Sequence, residues 1–155
     1  MTYQELTEAI KNGRKTFTGE DLRNQSFYGL GLNDADFSGA DLRGAVFGDA
    51  IIHWANFEGA DLRGALFRGS DLTGTRFNGA DLRGALFDEN ILPLTRFDGA
   101  DLRGACFCGS GQCRAHFEGA DLRGARSYRC DFSFSLFDGA DLRGTEIGKK
   151  EALGH

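Results

Sequence analysis

The side chains best suited to chemistry lie close together in the sequence. Cys106-x-Cys108, Cys113 and His116 form the one cluster with the content of a metal site, and Cys130 is the remaining cysteine. Tetrahedral zinc needs its ligands within about 2.0–2.3 Å of one point, so the cluster is a site only where the fold makes these side chains converge. Other catalytic chemistry has no evident carrier. The patterns G-x-x-x-x-G-K-[ST], H-E-x-x-H and G-x-S-x-G are absent, and the only other histidines are His53 and His155. Catalysis needs unlike groups meeting in a concavity. No catalytic residue, metal or cofactor is expected, and the chain does not read as an enzyme.

Charge is abundant but regular. Asp21, Asp41, Asp61, Asp81, Asp101, Asp121 and Asp141 recur every twenty residues, and Arg23, Arg43, Arg63, Arg83, Arg103, Arg123 and Arg143 follow each by two. In register these sets form two columns of opposite sign. The expectation is a mutually neutralising solvated face, with an anion-binding arginine ladder as the alternative. The formal net charge of -5 advertises no field for nucleic acid or membrane.

These columns imply an element that repeats every twenty residues. Gly39-Ala40-Asp41-Leu42-Arg43-Gly44-Ala45 returns at 59–65, 79–85, 99–105 and 119–125, and at 139–145 with Thr145 in the last place. Strict self-similarity at a fixed period marks a solenoid. Inside each twenty runs a period of five. Of the twenty-seven sites at 17, 22, 27 and onward to 147, twenty-five hold Phe, Leu or Ile, the exceptions being Gln112 and Ser127, and the register is read as unbroken. Helices want apolar spacings of three and four, and strands want two. Five suits a coil that bends after each pentad, usually with a small residue two places before the centre and with glycine two places after most centres.

Ala40-Asp41-Leu42-Arg43-Gly44 matches the motif A(D/N)LXX, and residues 17–147 resemble the pentapeptide-repeat family. The resemblance implies an all-β, right-handed quadrilateral β-helix with four pentads per coil and the central and i−2 side chains inward. About six and a half coils follow, a rod of roughly 31 Å at the usual strand spacing. Its core is expected to hold Phe37, Leu42, Phe47, Phe57, Leu62, Phe67, Phe77, Leu82, Phe87, Phe97, Leu102, Phe107, Phe117, Leu122, Phe137 and Leu142. On a square coil Cys106, Cys108, Cys113 and His116 face outward from diverging sides, which excludes a shared metal. Cys130 falls at an inward corner and reads as a buried, inert thiol. Gln112 sits at a centre beside Gly109-Ser110-Gly111, where local distortion is expected because a buried amide needs partners.

The ends differ from the rod. Residues 1–16 read as a helical cap, with Thr2 and Glu5 as a capping box and Leu6, Ala9 and Ile10 on one face. The early i−2 residues Lys15, Glu20 and Gln25 are not small, so the first coil should be looser or covered by the cap. The tail 148–155 is polar and caps poorly, apart from a possible turn through Ala152 and Leu153. Pairing of two copies through the C-terminal end is one remedy. The absence of an apolar leader or a membrane-length run and the clustered cysteines point to a cytoplasmic protein.

Function is expected where the repetition fails. Outward residues Ile51, His53, Trp54, Ile91 and Leu94 break the pattern of one side, and Val46, Leu66, Leu86 and Cys106 make an apolar column on the side next to it. Idiosyncratic apolar residues facing water suggest recognition, with Trp54 as anchor. The reading is a non-enzymatic interaction scaffold or regulator with an unidentified protein partner. The resemblance also implies an alternative, a DNA-mimicking modulator of type II topoisomerase. A mimic of that length would want roughly −18, whereas residues 17–147 hold 20 acidic and 13 basic residues, a net of −7.

Overall fold

A computed structural model of the chain describes residues 1–147; the tail 148–155, with the turn expected in it, lies outside the described residues. The chain opens with helix α1 (Tyr3–Lys11) and then winds as a right-handed quadrilateral β-helix. One side carries the five short strands β1 (Val46–Gly48), β2 (Leu66–Arg68), β3 (Leu86–Asp88), β4 (Cys106–Gln112) and β5 (Arg126–Asp131), paired in parallel and in sequence order. The other sides pair through single bridges at twenty-residue steps, from Thr16↔Asp36 to Asp121↔Asp141.

Most pentads close a corner by local hydrogen bonding. The Ala65 amide donates to the Leu62 carbonyl at 3.0 Å, across Gly64 at φ +66°. A positive φ at that place is what glycine supplies without a Cβ penalty. The remaining amides bond between coils, as Leu62 N–H does to the Asp81 carbonyl at 2.8 Å and Asp81 N–H to the Ala60 carbonyl at 3.0 Å.

The core is built from two phenylalanine stacks on opposite sides. Phe37, Phe57 and Phe77 stack at 4.9–5.0 Å between centroids, as do Phe47, Phe67 and Phe87 at 4.7–5.0 Å, and the stacks meet edge-to-face. Offset stacks along each column and T-shaped contacts between columns satisfy the ring quadrupoles in both directions. The leucine column from Leu22 to Leu122 is buried, and so are Leu32, Ile52, Leu72 and Leu92 on the side opposite it. Leu142 departs from the expected core: it is 37% exposed and Phe137 is only partly buried, because no described coil lies beyond them.

The register does slip once. Cys113 is fully buried and Gln112 is exposed, the reverse of an unbroken pattern. The bulge lies between Cys108 and Gly111, and Gly109 and Gly111 take φ of +63° and +62°. The Cys113 amide then donates to the Asp131 carbonyl at 2.7 Å, the bond that Leu72 makes to Ile91 at 2.8 Å on the same side of the coil. Cys113 lies six positions after Phe107 and Phe117 four positions after Cys113, so the slip is absorbed within two pentads. The physical reason is the cost of an unsatisfied amide in the core. A one-residue bulge turns Gln112 to solvent and brings a thiol inside.

Cap and first coil are joined as expected. Thr2 and Glu5 form the reciprocal capping box, Leu6 is fully buried, and Ile10 packs on the core. The Gln25 side chain donates to the Met1 carbonyl at 2.7 Å, Arg14 pairs with Glu20, and the Arg14 guanidinium lies 4.6 Å over Phe17.

Candidate interaction surface

The outward apolar column is real and lies on the paired strands. Val46, Leu66, Leu86 and Cys106 face one another in register across β1 to β4, and Arg126 of β5 ends the run. Leu66 is exposed and Val46, Leu86 and Cys106 are half-buried.

On the adjoining side Ile51 and Ile91 are exposed, with Asp71 bridging both in the ladder between them. His53 Nε2 lies 2.7 Å from Asp71 Oδ2, and the Thr73 hydroxyl donates to Asp71 at 2.6 Å. Burial works to raise the Asp71 pKa, but the bonds from Thr73 and His53 outweigh it and hold the carboxyl below its ordinary value. The polar step leaves the two isoleucines as separate knobs.

Trp54 and Leu94 occupy the corner position that glycine takes in most pentads. Their φ values are +60° and +59°, and they are 56% and 54% exposed. Left-handed backbone costs an L-residue roughly 1–2 kcal/mol, and a bulky residue there is an outlier that invites a functional question. Between them lies Gly74 at φ +68°, where a Cβ would run into the Trp54 ring. The indole therefore lies over Gly74, one coil along, with its other parts in solvent.

The corner joining the two sides is hollowed. Tyr28, Gly48, Asp49, Arg68, Gly69 and Glu89 line a groove of about 330 Å³. Tyr28 lies over Gly48, where a Cβ would stand 2.7 Å from its ring, and its hydroxyl donates to Asp49 at 2.8 Å. That bond raises the Tyr28 pKa. Arg68 approaches Asp88 at 3.5 Å.

The charged face is internally satisfied. Each column arginine grips its own aspartate with two bonds; Arg63 Nε donates to Asp61 Oδ1 at 2.8 Å and Nη2 to Oδ2 at 2.6 Å. The same Nε lies 3.7 Å from Asp81 Oδ2 in the next coil. The pattern repeats from Asp21 to Arg143, forming one continuous ladder of alternating sign. Hydrogen bonding to Arg23 and Arg143 brings Asp21 and Asp141 down to about 2.

One feature escaped sequence reasoning: a polar ladder at an inward corner. Along Ala50, Ser70, Asn90 and Ser110, each amide is met by the side chain one coil on, the last of them Cys130. Ala50 N–H donates to Ser70 Oγ at 3.2 Å, Ser70 N–H to Asn90 Oδ1 at 3.0 Å, and Asn90 N–H to Ser110 Oγ at 3.2 Å. Ser70 Oγ returns a bond to the Phe47 carbonyl at 2.7 Å, and Asn90 Nδ2 to that of Phe67 at 2.9 Å. The signal was present as a run of polar i−2 residues on one column. Cys130 ends this ladder, half-buried rather than enclosed. No group of three or more His, Cys, Asp or Glu among the described residues is arranged to hold a metal. No helix there is long and apolar enough to cross a membrane.

No curated protein matches the chain. Among solved structures, a pentapeptide repeat protein from the Arabidopsis thaliana thylakoid lumen is 35% identical with a TM-score of 0.38; the match covers 70% of this chain and 66% of that one, just under two thirds of its length. HetL, a pentapeptide repeat protein involved in heterocyst differentiation regulation in Nostoc, is 18% identical with a TM-score of 0.31, over 95% of both chains. Full-length QnrB1, a plasmid-mediated fluoroquinolone resistance protein, is 17% identical with a TM-score of 0.39, over 88% of this chain and 95% of that one. The sequence pattern described as pentapeptide repeats matches in 8 copies over residues 16–49, 50–88 and 114–146, leaving out a stretch that contains the bulge. The chain belongs to the pentapeptide repeat family.

Proposed function

We propose that the chain is a non-enzymatic protein-interaction scaffold or regulator acting in the cytoplasm. Its partner is a protein that docks across the corner between the apolar column and the irregular side. The observation that carries this reading is the pair Trp54 and Leu94, large apolar residues held exposed on left-handed backbone where glycine would cost nothing. Folding alone gives no reason to keep them there. The groove at the neighbouring corner offers hydrogen-bonding groups on Tyr28, Asp49, Arg68 and Glu89, the kind of polar contacts found at the rim of a protein interface. Four cysteines without a disulfide among them suit a reducing compartment.

The experiment is a paired substitution, Trp54→Gly with Leu94→Gly. Both changes relieve backbone strain, so the fold measured by circular dichroism should survive. Capture of a saturable partner should be lost, and Trp54 emission in the parent protein should shift on adding that partner. Unchanged capture by the variant would overturn the assignment of this surface. The DNA-mimic alternative fares less well, since the Asp column is neutralised pairwise by arginine and Glu58 and Asp98 have basic neighbours in Arg76 and Arg96. Supercoiling by gyrase should be unaffected at micromolar protein.

A further inference from the structure

The bulge has a chemical consequence. In an unbroken register Cys113 would face solvent; the inserted residue at Gly109–Gly111 instead carries it fully into the core, beside the next coil. There its amide donates to the Asp131 carbonyl at 2.7 Å, which sets the thiol beside Cys130, itself packed on the core from the next coil. The strands confirm the juxtaposition, because Gly111 pairs with Cys130 and Gln112 with Asp131. Cys130 also ends the polar corner ladder, so the Ser110 amide points at its Sγ at 3.4 Å, as the amides before it point at Ser70, Asn90 and Ser110 oxygens. A position that receives a donor in each of the three preceding coils is occupied here by a sulfur, half-open to solvent.

We propose that Cys130 and Cys113 are a peroxide-responsive dithiol that closes into a disulfide joining two successive coils. Cys130 is the attacking sulfur because the Ser110 amide points at it and solvent reaches it; Cys113 resolves because it is enclosed beside it on the preceding coil. The Cys130 thiolate attacks one oxygen of hydrogen peroxide. The O–O bond breaks, Cys130 becomes a sulfenic acid, and the departing hydroxide takes the proton that Cys130 gave up, leaving as water. Cys113 then attacks the sulfenic sulfur. The S–S bond forms, the S–O bond breaks, and the hydroxide leaves as a second water with the Cys113 proton. Two thiols are oxidised by two electrons and one peroxide is reduced to two waters.

The electrostatics agree with these roles. The bond from Cys113 brings Cys130 down to about 7, aided by the Ser110 amide, while the bond to Cys130 and burial push Cys113 well up. A partly ionised, accessible thiol beside a protonated resolving one is the arrangement of redox-sensitive cysteines. The second thiol pair behaves differently. Cys106 and Cys108 have their sulfurs 2.8 Å apart, but they sit two residues apart on β4 and would bridge no second coil. Burial pushes Cys108 up to about 12, which makes it a poor nucleophile.

The test uses the full chain with Cys106→Ser and Cys108→Ser, which leaves only the two thiols in question. After reduction and removal of the reductant, a modest excess of hydrogen peroxide should consume both thiols. The monomer should lose two hydrogens in mass and give one tryptic product linking the Cys113 and Cys130 peptides, and dithiothreitol should reverse it. With Cys113→Ser added, dimedone should trap a sulfenic acid at Cys130. With Cys130→Ser added instead, Cys113 should be consumed roughly tenfold more slowly. Circular dichroism checks that each variant folds. A disulfide confined to Cys106 and Cys108 in the parent chain, a cross-link between two chains, or two surviving free thiols in the double variant would each overturn the proposal.

Discussion

Trp54 and Gly74 behave as one unit, and the smaller residue holds the larger in place. The indole can lie along its column only because Gly74 has no side chain, and Gly74 must also adopt φ +68°. Gly84 provides a control, with φ +67° and nothing within 4 Å of a Cβ built there. Gly84→Ala should therefore cost only the backbone strain, about 1 kcal/mol. Gly74→Ala should add a steric cost and lose about 2–3 kcal/mol in all. Trp54 is the sole tryptophan, so its emission maximum reports the displacement directly. Gly74→Ala should shift that maximum to the red and Gly84→Ala should leave it alone. Equal unfolding midpoints for the two variants would mean that the indole does not rest on Gly74. The same scale shows how a single residue type redirects the chain: at position 112 an amide side chain is turned out of the core and a cysteine one place on is drawn in.

At the scale of the coil, every twenty residues return the same bonds, which is why so much of this element was legible beforehand. The period predicted both phenylalanine columns, the buried leucines and the facing charge columns, because one coil's inward positions stack on those of the next. What the period could not show is how two neighbouring exceptions compensate. Gln112 at a centre and glycines at 109 and 111 are each tolerable alone, and only their combination permits a bulge that preserves the register on both sides. The polar ladder from Ser70 to Cys130 was obscured for a similar reason, since Ser and Asn at i−2 look like tolerated small residues until their partners one coil away are seen. The charge ladder carries a prediction at this scale. Folded Asp21 and Asp141 titrate near 2, below their ordinary 3.8, and Asp41, Asp61, Asp101 and Asp121 are also lowered, by bonds to their arginines. Groups depressed by folding stabilise the fold above their unfolded pKa and lose that contribution as pH falls through the folded one. The melting temperature should be level from pH 7 to about 5 and fall between about pH 4 and 2. Arg63→Lys, which keeps the charge but loses the two-pronged grip, should lower the melting temperature slightly at neutral pH. A melting temperature that stays flat to pH 2 would remove the ladder from the stability argument.

Across the whole molecule, a solenoid's coils touch only their neighbours, so the ends decide whether the middle is protected. Helix α1 is the device at the first end. Leu6 is fully buried against a first coil whose Phe17, Leu22 and Phe27 would otherwise be open to water. The bulky i−2 residues there are used rather than merely tolerated, as Gln25 ties to Met1 and Glu20 to Arg14. Leu6→Ala removes the one fully buried residue of the helix and should cost about 2–5 kcal/mol locally. Because stability in a repeat array is a sum of coil and neighbour terms, that loss should stay near the end. Amides of residues 17–31 should exchange faster with solvent deuterium, while those of residues 57–87 keep their protection. Leu62→Ala, placed between two coils, should expose amides on both sides of itself and leave the cap region bound to its first coil. A uniform loss of protection along the rod in Leu6→Ala would show that the molecule opens as a single unit and that the cap governs all of it.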